Sequence, residues 1–305
     1  MDLLLLLSHL FNSDVQVRLK MREVYKMTKK KNILKAIGIY SFIAMMFVII
    51  LYPLLWTFGI SLNPGTNLYG AKMIPDNATF KNYAFLLFDD SSQYLTWYKN
   101  TLIVASANAL FSVIFVTLTA YAFSRYRFVG RKYGLITFLI LQMFPVLMAM
   151  VAIYILLNTI GLLDSLFGLT LVYIGGSIPM NAFLVKGYFD TIPKELDESA
   201  KIDGAGHMRI FLQIMLPLAK PILAVVALFN FMGPFMDFIL PKILLRSPEK
   251  FTLAVGLFNF INDKYANNFT VFAAGAIMIA VPIAIVFLFL QRYLVSGLTT
   301  GATKG

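Results

Sequence analysis

Six apolar stretches, each long enough to cross a bilayer, constrain this chain more than any other feature. They cover residues 33–62, 101–124, 133–156, 166–185, 218–240 and 270–290. A hydrocarbon core of about 30 Å needs roughly 20 helical residues. None of the stretches alternates with period two, so barrel strands are excluded and helices are the only spanning form open to them. The fold class expected is an all-α integral membrane protein with six transmembrane helices. Composition agrees: 13% of residues are charged, against about 25% in soluble domains. The chain has no cysteine, which excludes disulfides, thiolate metal sites and cysteine nucleophiles.

The segments between the stretches give an orientation. Of 26 Lys and Arg, 19 fall on the side that would carry both termini and 7 on the other. The excess of basic residues marks the cytoplasmic side, so both termini are expected there, in a plasma membrane. The net charge of +11 is then a matter of membrane orientation and does not point to nucleic acid. Residues 1–32 become a cytoplasmic N-terminal extension, 33–62 the first transmembrane helix and 63–96 an extracytoplasmic loop. A core domain follows over 97–292, with a cytoplasmic loop at 187–217, and 293–305 form a cytoplasmic tail. The opening "MDLLLLLSHLF" lacks the basic n-region and small-residue cleavage site of a signal peptide. Residues 1–26 read as an upstream extension or as a short interfacial helix. Trp56 and Trp97 are expected near the outer ends of spans one and two, as interfacial anchors.

The loop between spans four and five is the most unusual part of the chain. "PKELDESAKIDGAGHMRIFLQIMLPLAKPIL" (193–223) begins with five charged residues among its first nine, breaks at Gly204 and runs without a spacer into the fifth span. Thr191 is placed to cap a helix and Pro193 suits its first turn, while Glu195, Asp197 and Glu198 sit where a helix N-terminus favours negative charge. A second helix is expected from His207, with Met208, Phe211 and Met215 on one face. The result is a helix–turn–helix elbow outside the bilayer, continuous with a span, able to receive a push and transmit it.

Glu198-Ser199-Ala200, Gly204, Ile214, Leu216 and Pro217 resemble the EAA–G–I–LP motif of ABC importer permeases, with Ser199 in place of the first alanine. The resemblance implies a type I ABC importer permease fold with a cytoplasmic coupling helix that docks into a cleft on an ATPase subunit. Glu198 would then be the polar contact, Ala200 the packing residue and Gly204 the turn. Ser199, Asp203, Ile214, Leu216 and Pro217 complete the coupling set. "NTLIVASANALFSVIFVTLTAYAFSRYRFVGRK" (100–132) is similar to the second span and basic loop of the carbohydrate branch. "QRYLVSGLTTGATKG" (291–305) resembles the tail of the six-span maltose/maltodextrin permease subunits. In those, the tail reaches between the ATPase subunits, which implies contacts from Leu298, Gly301 and Gly305, and the loop at 242–268 can enter the binding protein's sugar cleft. One departure stands out: "FMGPFMDFILPK" (231–242) has Met236 where many sugar permeases carry asparagine before the acid, here Asp237.

The partners implied are a second permease subunit, two ATPase subunits carrying ATP and Mg, an extracytoplasmic sugar-binding protein and an oligosaccharide. Maltodextrin is the first choice and other plant-derived oligosaccharides the alternative. No GxxxxGK[ST] occurs in the chain, so it has no phosphate cradle of that kind, binds no cofactor by this reading and is not itself an enzyme. His9 and His207 have no metal-ligand spacing. Asn108, Asn181, Asn230 and Asp237 are the candidate pathway residues; joining helices is the favoured role for the asparagines, and the acid is equally suited to a place near the interface. Two other classes stay open: an ion-coupled sugar carrier or channel, and a membrane scaffold that passes no solute.

Overall fold

The computed structural model describes Ile33 and residues 35–66, 72–262 and 267–302. The N-terminal extension, His9, part of the 242–268 loop and Gly305 lie outside the described residues. The chain divides into two compact units, 1–57 and 58–305. The first contains most of a single long apolar helix, α1 (Lys35–Ser61).

The second unit is helical throughout its regular parts. After α2 (Lys81–Phe88) come α3 (Tyr94–Arg125), α4 (Gly134–Gln142), α5 (Val146–Thr159) and α6 (Leu166–Thr191). A short α7 (Glu195–Ile202) and α8 (His207–Leu218) lead into α9 (Lys220–Met236). The chain closes with α10 (Ile239–Leu244), α11 (Leu253–Phe258) and the 34-residue α12 (Phe269–Ala302). Among the described residues four helices, α1, α3, α6 and α12, are long and apolar enough to span. The bent pair α8–α9 makes a fifth.

The predicted third span is two helices. Its run 133–156 is broken by Met143, Phe144 and Pro145 between α4 and α5. Proline has no N–H to donate and disfavours the helical region for the residue before it. Counted as one broken span, these two helices make the architecture compatible with six crossings. The bend of 79° between α8 and α9 has a similar origin. Pro221, at the start of α9, cannot return a hydrogen bond to the preceding turn.

Packing centres on α3, which lies against α6 and α9, while α9 also packs on α12. Small residues line these contacts: Ala105, Ala120, Ala182, Ala224, Ala273 and Ala274 are all buried. In lipid, where apolar side chains gain little by leaving one solvent for another, close backbone approach and dispersion hold helices together. A buried polar chain adds direction. Asn108 on α3 donates to the carbonyl of Asn230 on α9 at 2.7 Å, and Ser112 donates to Asn108 at 3.1 Å. The Ser112 hydroxyl also meets that of Ser177 on α6 at 2.8 Å.

Two apolar clusters sit at opposite ends of α3. One gathers Tyr94, Trp97, Val104 and the segment 244–257. Here Trp97 donates its indole N–H to the carbonyl of Pro248 at 2.8 Å, and Asn100 donates to Glu249 and Phe251. Trp97 is thus a buried anchor for this loop, with its ring filling the space beside Gly256, and not the interfacial belt residue expected from sequence. Asp164, the one non-glycine residue with positive φ among those described, accepts from the backbone N–H groups of Arg246 and Ser247 and pairs with Lys250. Burial raises the cost of its charge, but these hydrogen bonds and that of the Ser247 hydroxyl outweigh it and hold the carboxyl well below the usual carboxylate range. The other cluster, around Val116, Ala120, Tyr121, Phe189 and Met215, carries the elbow.

Candidate functional site

The elbow is built by local rules. Three acids in the first turn of α7 and Lys201 in its last turn complement the helix dipole. The helix starts at Glu195, with Lys194 ahead of it. Thr191 does not cap it, because this residue is the last of α6 and its hydroxyl bonds back to Tyr188. The stop is a Schellman turn. Gly204 takes φ +79° and donates to the carbonyl of Lys201 at 3.0 Å, while Ala205 donates to Ala200 at 2.9 Å. That backbone conformation favours glycine, since a Cβ there crowds the following carbonyl.

The two faces of α7 are chemically distinct. Glu195, Glu198, Ser199 and Ile202 recur at helical spacing on the exposed side, where Ile202 is 87% exposed. Asp197 and Ala200 turn inward, Ala200 against the cluster that also receives Ile214 and Leu216. Asp203 and Pro217 are exposed. Of the face expected on the second helix, Phe211 and Met215 are buried but Met208 is 63% exposed. A π-helical turn at Phe211–Met215 widens the helix and shifts the register, so Ile210 takes the inward place expected for Met208.

An ion pair that sequence reading had missed ties this elbow to the end of α3. Arg125 and Asp197 pair with side chains only 6% and 9% exposed. Arg125 also donates to the carbonyl of Ile192 at 2.9 Å and to the Ser124 hydroxyl at 3.1 Å, while Ser124 donates to Asp190 at 2.7 Å. Tyr121 donates to the carbonyl of His207 at 3.3 Å. Around the pair opens a cleft of 240 Å³ that also receives Arg127, Arg131, Lys194, Glu198 and Lys201. Nothing in sequence spacing links Arg125 with Asp197, 72 positions on; the only sign was an acid on the inward side of an amphipathic helix. The exposed Ile202 could have been found, as an apolar residue one turn beyond Glu198 in a polar segment.

The candidate pathway residues do not form one cluster. Asn108 and Asn230 are buried and engaged in the polar chain between helices. Asn181 donates back to Ser177 within α6 at 2.8 Å. Asp237 was placed inside the fifth span, and the structure sets it in the break between α9 and α10. There it caps α10 through the N–H groups of Ile239 and Leu240 and accepts from the Tyr173 hydroxyl at 2.9 Å. It faces a cavity of 700 Å³, together with Gln142, Phe144, Tyr173 and Gly176. No group of three or more potential metal ligands occurs among the described residues.

Residues 112–300 match the family described as binding-protein-dependent transport system inner membrane component. The chain belongs to this family. The permease is 50% identical over 278 residues to the galactooligosaccharides transport system permease protein GanQ of Bacillus subtilis (strain 168), covering 91% of this chain and 98% of that one. It is also 50% identical over 272 residues to the maltodextrin transport system permease protein MdxG of the same strain, covering 89% and 97%. A solved bacterial ABC transporter involved in the import of the acidic polysaccharide alginate superposes with a TM-score of 0.72 at 27% identity. That match covers 85% of the permease and 96% of the other chain. The permease is thus a multi-pass plasma-membrane subunit of the carbohydrate branch, with the all-helical fold of ABC importers.

Proposed function

We propose that this permease is one of two membrane subunits of an ATP-driven importer for oligosaccharides, coupled to its ATPase partners through residues 193–217. The elbow carries this reading: a glycine-stopped helix with Glu198, Ser199 and Ile202 on its free side and a buried ion pair behind it. A load applied to the free side passes through Asp197 and Arg125 into α3, and through α8 into α9. Alternating access would follow from moving these helices together. Both termini lie in the cytoplasm on this reading. The tail residues Leu298, Gly301 and Gly305 contact the ATPase subunits, which hold ATP and Mg and carry out the hydrolysis. A binding protein delivers sugar from outside, with the 242–268 loop as its contact.

Relatives named for galactooligosaccharides and for maltodextrin, each 50% identical, support a neutral oligosaccharide as cargo. Maltodextrin is the first to test. Purifying the complex from its own membranes should recover a second permease and an ATPase whose turnover rises with sugar-loaded binding protein. A chain recovered alone, carrying sugar without nucleotide, would overturn the reading in favour of an ion-coupled carrier. Unchanged uptake in both Glu198→Ala and Gly204→Pro would do so in favour of a scaffold.

A further inference from the structure

We propose that the 700 Å³ cavity beside the α4–α5 break is a sugar subsite on this subunit, with Asp237 and Gln142 meeting hydroxyl groups and Tyr173 and Phe144 flanking them. The proposal rests on the importer reading above and adds to it a place where the cargo touches this chain.

Three independent observations converge on the cavity. The first is the backbone. Between Gln142 and Val146 the third span is not helical, and non-helical backbone at membrane depth is tolerated only where protein buries it or it lines a wet cavity. Leu141, Gln142 and Phe144, at that break, line this one. In secondary transporters, interrupted spans are where polar cargo binds.

The second is unspent hydrogen-bonding capacity. An ionised carboxylate has about four lone-pair sites, and Asp237 uses three, on Ile239, Leu240 and Tyr173. Gln142 spends one N–H on the carbonyl of Gly176 at 2.8 Å, leaving its own carbonyl oxygen and a second N–H. No basic side chain lines the cavity, so an anionic cargo has no counter-charge, while a neutral polyol finds acceptors, a donor and two rings.

The third is room. The volume lies within the roughly 300–1,000 Å³ typical of small-molecule sites. A Cβ built on Gly175 or Gly176 meets nothing within 4 Å, so the flank of α6 beside Tyr173 is open.

The natural sequence has no cysteine, so a single Gly176→Cys reports on the cavity directly. The experiment measures maleimide labelling of this variant in the assembled complex in proteoliposomes, with and without sugar-loaded binding protein, alongside the KM of uptake. The expected result is labelling slowed by the transported oligosaccharide and not by a non-transported sugar. Asp237→Asn should weaken that protection and raise KM about tenfold, because a hydrogen bond to a charged acceptor is roughly twice as strong as one to a neutral acceptor. Asparagine keeps the helix cap and the Tyr173 contact, so a folding defect would not mimic this. Labelling indifferent to sugar, with an unchanged KM in Asp237→Asn while uptake proceeds, would overturn the subsite and assign the cavity to lipid or to a partner helix. Absence of sugar uptake by the unmodified complex would instead bring down the importer reading, and the subsite with it.

Discussion

Replacing Arg125 by methionine removes one half of an ion pair whose other half is largely buried. With Asp197 only 9% exposed, the carboxylate would be left buried and unpaired, a situation that costs about 3–5 kcal/mol. The bond from Arg125 to the carbonyl of Ile192 is lost too, at about 1 kcal/mol. Arg125→Met/Asp197→Leu behaves differently, because exchanging both charges for apolar groups is often neutral or stabilising. It should return to within about 1–2 kcal/mol of the parent, the Ile192 bond remaining broken. The order of thermal inactivation midpoints in the purified complex is therefore parent, close to the double variant, well above the single. Function should separate from stability: the double variant is folded but its elbow is no longer held to α3 by charge. The ratio of sugar taken up to ATP hydrolysed should fall even where the midpoint recovers. A single variant as stable as the parent would show that the carboxylate is not a buried charge. A double variant with an unaltered ratio would show that the tether carries no load.

Four other expectations can be checked in the same preparation. Gly204→Ala places a side chain at φ +79°, at a cost of about 1–2 kcal/mol, and should lower stimulated ATP turnover without dissociating the complex. Gly256→Ala drives a Cβ into the Trp97 ring, which its bond to Pro248 holds in place; overpacking of about 1–3 kcal/mol should show as a lower inactivation midpoint. Asp164, its pKa depressed in the folded state, contributes stability that is complete above the unfolded value of about 3.9 and drains away as pH falls below it. The inactivation midpoint should therefore drop from about pH 5 downward, and Asp164→Asn should flatten that part of the profile. Truncation before Leu298 should reduce ATPase stimulation while membrane insertion, followed by fractionation, is unchanged.

Hydropathy made the long helices legible because each must present an apolar surface whatever its neighbours are. It located their lipid-facing length and not their ends. α3 begins seven residues before the predicted second span and α12 continues twelve beyond the predicted sixth, since Lys99 and Arg292 end a hydrophobic window without ending a helix. The break at Pro145 was hidden by its neighbours, Met143 and Phe144 being as apolar as the helices they separate. The elbow was legible because Gly204 and the acids of α7 act locally. Its register beyond His207 was not, because a π-helical turn is set by how Ile210, Phe211 and Met215 pack and not by their spacing. Arg125 was counted as one of many basic residues marking a membrane side, and only the fold reveals a buried partner. Asp164 was passed over for the same reason, its partners being more than eighty positions away.

The polar chain through Asn108, Asn230, Ser112 and Ser177 sets a limit on motion. Sliding α3 past α6 or α9 by a single residue would leave buried donors and acceptors unmatched, at about 1–3 kcal/mol for each group. Turning the three helices as one body breaks none of these bonds. Whatever stroke arrives through the elbow is then spent at the outer boundary of this trio, where the unit meets its neighbours, and its interior travels unchanged.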